Sequence, residues 1–159
     1  MTKQLQKNIQ QYREAVYKNS PVTAAYFALI HFVRKLRSDL MKTAIDYSVG
    51  NVSEGYMDFT YFPFANEYLQ EKQLRFGIVL NHHDMRFELW LMARNAEGKA
   101  KYWDRLKSTS WNADKTVEPQ YSVLESIICG EPDFSDLDVL STEIIDKAMI
   151  EAREIIKCL

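Results

Sequence analysis

Residues 74–94 read LRFGIVLNHHDMRFELWLMAR, and this stretch decides the fold. Leu74, Phe76, Ile78 and Leu80 alternate along a first arm; Phe87, Leu89, Leu91 and Ala93 alternate along a second. Side chains of a strand point to opposite faces in turn, so each set shares one face. Folding the chain at His83-Asp84 sets Leu80 opposite Phe87, Ile78 opposite Leu89 and Phe76 opposite Leu91. A slip of one residue would invert every assignment, so the register is strongly specified. The other face carries Arg75, Gly77, Val79 and Asn81 against Arg86, Glu88, Trp90, Met92 and Arg94. In this register Gly77 faces Trp90, whose indole is expected to cover the bare glycine backbone, unless Gly77 marks a bulge.

Working outward, Leu5, Ile9, Tyr12 and Val16 repeat at helical spacing and predict a helix over 3–18. Ser20-Pro21 is an N-cap followed by a proline at the first helical position, opening a second helix to about Thr43. Its buried side is read as Phe27, Ile30, Val33, Leu40 and Ala44, and the short link predicts an antiparallel helix pair. Tyr56 to Phe62 reads as a strand ended by Pro63, with Met57, Phe59 and Tyr61 on one face and Asp58, Thr60 and Phe62 on the other. A short helix over 66–73 turns Tyr68 and Leu69 inward, and a further helix over 97–107 buries Tyr102 or Trp103 together with Leu106. Residues 108–118 form a polar loop around Trp111. Residues 120–128 are ambiguous between strand and helix; bracketing by Pro119 and Cys129-Gly130 favours a strand. The stripe Ile145, Ala148, Met149, Ala152, Ile155, Ile156 and Leu159 predicts a long C-terminal helix. The expected fold is α+β: an antiparallel sheet of three to four strands, helices packed on one face, an N-terminal helix pair and that long last helix.

At 159 residues the chain is expected to form a single α+β domain over 1–159. A chain of this length buries roughly 70% of its unfolded surface, so it needs neither disulfide nor metal to hold a core. Cys129 and Cys158 lack any CxxC spacing and read as reduced thiols. The N-terminus lacks the apolar core of a signal peptide, and no stretch reaches the ~18 apolar residues of a membrane span, so the expectation is a cytoplasmic protein without membrane contact. A net charge of −2 argues against a dedicated polyanion binder.

Three constellations could carry chemistry. Asp58 and Thr60 are expected beside Arg75, Arg86, Glu88 and Trp90 on the outer sheet face, a set suited to ligand binding or to cross-strand ion pairs. His82-His83-Asp84 suggests a metal site, but neighbours on an extended chain point to opposite sides, and a polar hairpin tip is the simpler reading. Arg34, Lys35, Arg37 and Lys42, joined by Arg75, Arg86 and Arg94, could form a phosphate-binding face with Trp90 stacking a base, or a solvated helix end.

The segments Gly55-Tyr56-Met57-Asp58, Leu74 to Val79, Arg86 to Trp90, Lys101-Tyr102-Trp103 and Pro132-Asp133-Phe134 resemble an uncharacterised bacterial family of small stand-alone α+β proteins. That resemblance covers most of the chain and implies a fold rather than an activity. The strand Arg86 to Leu91 with its following helix also resembles divergent restriction-endonuclease-like domains. That resemblance implies Mg²⁺-dependent nucleic-acid cleavage, with Asp58 as first acid and Glu88 as second. The lysine position of the motif is Trp90 here, and an indole cannot activate water or offset phosphate charge as an ammonium does.

The sequence therefore leads to a cytoplasmic binding or interaction module that uses a polar sheet face around Asp58, Arg86, Glu88 and Trp90, with no metal and no cofactor. Its partner is a small molecule or protein, with nucleic acid the lesser alternative. The competing reading is a divergent, inactive nuclease-like domain.

Overall fold

A computed structural model of the chain describes residues 2–159. Its helices are α1 Lys3–Ala15, α2 Pro21–Thr43, α3 Glu67–Glu71, α4 Ala96–Leu106 and α5 Leu137–Ile156. Its strands are β1 Ser48–Val49, β2 Phe59–Ala65, β3 Leu74–Asn81, β4 Arg86–Ala93 and β5 Leu124–Cys129. The chain divides into two compact units, residues 1–32 and 33–159, with the boundary inside α2. Among the described residues no helix is long and apolar enough to cross a membrane.

In the first unit the Ser20 cap forms as expected. Its Oγ accepts from the Thr23 N–H at 3.1 Å and donates to the Ala15 carbonyl at 2.6 Å, tying the end of α1 to the start of α2. The expected packing of two apolar stripes does not follow. No residue of α1 is buried; Ile9 and Tyr12 stay exposed, and so does Phe27 of α2. The α1 stripe is narrow and flanked by Gln and Lys, so pairing would remove little apolar area from water.

In the second unit the sheet is an antiparallel meander in the order β1-β2-β3-β4-β5. Five strands replace the expected three to four. The additional one, β1, has two residues, too few to show alternation in sequence. The hairpin register is as read, with Leu80 opposite Phe87, Ile78 opposite Leu89 and Phe76 opposite Leu91. Asn81 fixes the turn: its Oδ1 accepts from the His83 and Asp84 N–H groups. Residues 124–129 are a strand, paired with β4 across an irregularity at Phe87/Glu88.

Pro63 does not end β2, which runs on to Ala65. The Pro63 carbonyl accepts from the Gly50 N–H, and Tyr61, two residues back, exchanges both backbone bonds with Ser53. The missing N–H of Pro63 therefore points away from β3, where the ladder does not need it. The strand also begins later than expected. Residues 55–58 form a turn in which Gly55 (φ 75°) and Met57 (φ 62°) are left-handed.

The core lies on the face bearing Phe62, Phe64, Phe76, Ile78, Leu80, Phe87, Leu89 and Leu91, all buried. Helix α5 packs over β4 and β5 with Leu140, Ile144, Ile145, Ala148, Ala152 and Ile155 inward. Its Glu151 accepts from Ser126 Oγ at 3.0 Å and from Trp111 Nε1 at 2.9 Å, so the loop around Trp111 is anchored rather than free. Leu69 of α3 and Tyr102 and Leu106 of α4 are buried as read, but Tyr68 is exposed.

Candidate functional site

On the sheet's other face the side chains are Phe59 and Tyr61 from β2, Val79 from β3, and Glu88, Trp90 and Met92 from β4. This face is not the open polar surface that the alternation suggested. Val79, Trp90 and Met92 form a second small core with Phe59 and Tyr61 packed against it. Two loops cover it: the turn through Gly55, Tyr56 and Asp58, and the chain carrying Tyr121. Between them lies a recess of about 370 Å³ whose walls include Tyr56, Phe59, Tyr61, Trp90 and Tyr121.

The rings are ordered relative to one another. Phe59 meets Trp90 edge-on at 4.9 Å between centroids, while Tyr121 lies nearly parallel to Trp90, 11° apart at 6.5 Å. Tyr56 and Tyr121 expose much of their surface; Trp90 is 4% exposed. The Trp90 Nε1–H is buried and has no acceptor among the described residues. A buried donor left unmatched costs about 1–3 kcal/mol, and buried indoles ordinarily find a partner.

Two charged groups border the recess. Asp58 is held by its own turn: its Oδ1 accepts from the Tyr56 N–H at 2.9 Å and the Phe59 N–H at 2.6 Å. Those backbone donors hold its carboxyl below the usual aspartate value, so it is ionised at neutral pH. Arg75 is exposed and has no carboxylate, carbonyl or ring partner among the described residues.

The other expected site residues lie elsewhere. Thr60 is fully buried on the opposite, core face, because β2 sets Phe59 and Tyr61, not Asp58 and Thr60, on the face of Trp90. Its Oγ1 donates to the Glu54 carbonyl and bonds His82 Nε2 at 2.8 Å, which leaves His82 as the donor in that second bond. Burial pushes the His82 pKa below the ordinary histidine value, Asp58 only partly opposing it. Glu88 is buried and committed to neighbours: Arg86 Nη2 at 3.3 Å and Asn81 Nδ2 at 3.2 Å. Asp58 and Glu88 thus serve separate local networks. Among the described residues no group of three or more His, Cys, Asp and Glu side chains is placed to hold a metal ion.

Gly77 does sit opposite Trp90, but the indole is not its cover. A Cβ built there would meet Met92 Cε at 2.7 Å and Tyr61 Cδ2 at 3.5 Å. Trp90 is thereby left to the recess. In the basic cluster of α2, Arg34 pairs with Glu54 and Lys35 with Asp39 and Asp138, Arg37 donates to the Gly50 carbonyl, and Lys42 has no ion pair among the described residues. Phe59, Tyr61 and Tyr121 did not stand out in sequence. The usable signal was parity, since Phe59 and Tyr61 alternate with the buried Phe62 and Phe64. Tyr121 reaches the site from a segment with no periodic pattern.

Fold and site together describe an α+β protein built on an antiparallel meander, with an aromatic recess under two loops on the face away from α5. The chain belongs to the family described as Domain of unknown function (DUF7000), whose model matches residues 5–159. No curated protein and no solved structure matches the chain.

Proposed function

We propose that this protein is a small-molecule-binding module whose site is the aromatic recess beneath the two loops, with Trp90 and Tyr121 as its stacking surfaces. The observation that carries this reading is a recess of about 370 Å³ walled by Trp90 and four further rings, of which Tyr56 and Tyr121 are exposed. A concave site with apolar aromatic walls and a few bordering polar groups is the usual form of a small-molecule site. Aromatic walls favour a flat ring, since stacking on one such wall is worth about 1–3 kcal/mol by analogy with stacked bases. No catalytic step is assigned: Asp58 and Glu88 are held in separate networks, Glu88 buried against Arg86 and Asn81, so the expected acidic pair does not converge on one site.

The test is thermal denaturation with uncharged flat rings (adenine, uracil and indole) at millimolar concentration. Wild type should be stabilised by at least one of them, by about 2.7 kcal/mol once the ligand is a hundredfold above its Kd. Tyr121→Ala should melt close to wild type without ligand, because the ring is largely exposed, and should lose the ligand-induced shift. A shift that survives both Tyr121→Ala and Trp90→Phe would place binding elsewhere. No shift with any ring would refute the recess as a binding site.

A further inference from the structure

Of the seven basic residues that the sequence grouped together, Lys42, Arg75 and Arg94 have neither an ion pair nor a side-chain hydrogen bond among the described residues, and the sheet places the two arginines together. Arg75 lies opposite Met92 on β3 and β4, and the Arg94 N–H continues the ladder to the Gln73 carbonyl. Arg75 and Arg94 are therefore diagonal neighbours on the outer face. Both line a narrow cleft of about 150 Å³ together with the polar side chains of Ser48 and Gln70. Arg75 also lines the aromatic recess, so one guanidinium borders both cavities.

We propose that the ligand of the recess is a nucleoside monophosphate, its base stacked beside Trp90 and Tyr121 and its phosphate held by Arg75 and Arg94. This rests on the recess being the binding site. Two guanidiniums match the charge of a phosphate monoester, about −1.5 to −2 at neutral pH, better than that of a single carboxylate. Each planar guanidinium can donate in bidentate fashion to phosphate oxygens. A small cleft bordered by two guanidiniums without carboxylate partners among the described residues suits a compact anion. Asp58 sets the polarity. Its neighbour Phe59 is level with Asn81, six residues along β3 from Arg75, or about 20 Å of strand at ~3.3 Å per residue. The carboxylate thus repels an anion at its own end and can accept from a base amino group, while the arginines attract the phosphate at the other.

The experiment is calorimetric titration of the full chain with adenosine 5′-monophosphate, adenosine and a short oligoadenylate, on wild type and on the Arg75→Gln/Arg94→Gln double variant. Both arginines are exposed, and a melt without ligand checks that the variant folds as wild type does. Wild type should bind the monophosphate about ten- to a hundred-fold more tightly than adenosine, the range expected for charge-assisted hydrogen bonds. The double variant should bind the two equally, with adenosine affinity unchanged. Raised salt should weaken only the monophosphate. Equal wild-type affinity for the two ligands, or monophosphate affinity untouched in the variant, overturns the nucleotide assignment and leaves the recess standing. The same holds if neither binds while an uncharged ring still shifts the melt. Oligoadenylate binding without monophosphate binding overturns it in favour of a single-stranded nucleic acid. If no ring of any kind binds, the recess reading fails as well.

Discussion

Replacing Glu88 by alanine separates two descriptions of the outer sheet face. On an open polar face the substitution would cost a few tenths of a kcal/mol, the ordinary worth of a cross-strand charge pair. Here the side chain is 2% exposed and its two oxygens accept from Arg86 Nη2 and Asn81 Nδ2. Removing one partner of a buried ion pair costs about 3–5 kcal/mol when the remaining charge is stranded. Arg86 is not fully stranded, since its side chain is 31% exposed and Asp84 lies 3.6 Å from the same Nη2. Asn81 Nδ2 likewise keeps Asp84 Oδ2 at 3.2 Å. Both survivors retain a partner, so the expected loss falls below that range, at about 2 kcal/mol, near the worth of one hydrogen bond to a charged group. With a urea m-value of about 2 kcal/mol per M, the midpoint should fall by about 1 M at unchanged slope. Glu88→Gln, which keeps the shape and one acceptor, should lose less. A midpoint shift for Glu88→Ala within error of zero would mean that the carboxylate is solvated, and that the loops do not close over this face as described.

Leu89→Ala empties a fully buried position at the centre of the core face and should cost about 2–5 kcal/mol, against well under 1 kcal/mol for the half-exposed Ile127→Ala; equal urea midpoints would invert the assignment of faces. His82 makes stability depend on pH, because burial holds its folded pKa below the unfolded value of 6.5. As pH falls through 6.5 the unfolded chain takes up a proton that the folded chain refuses, so stability present above that pH is lost until the folded value is passed. The urea midpoint of wild type should therefore fall more steeply below pH 6.5 than that of His82→Asn, and parallel pH profiles would contradict the part-buried Thr60–His82 contact.

Much of the second unit was legible in the sequence because its signals are local. The alternation of Leu74 to Leu80 and Phe87 to Ala93, with a polar tip between them, dictates the hairpin and its register. Ser20-Pro21 marks the start of α2, and the stripe from Ile145 marks α5. Each of these rests on the period of one element, and a buried face imposes that period whatever packs against it. Tertiary structure decided what periodicity cannot carry. Strand β1 is two residues long and exists only because Phe64 and Ala65 offer it an edge. Pro63 reads as a strand end until the neighbour on its unbonded side is known. The alternation of Phe59 and Tyr61 against Thr60 and Phe62 was legible, but which set faces the core was settled by pairing with β3, which puts Thr60 opposite Leu80 and Phe62 opposite Ile78 and so sends Phe59 and Tyr61 to the site. Tyr121 meets Trp90 only because a loop without sequence pattern is pinned nearby, Asn112 donating to the Leu106 and Val123 carbonyls. A polar alternation in sequence states which residues leave the main core; whether loops then cover them, and so turn an exposed face into a recess, is settled by contacts between segments far apart in the chain.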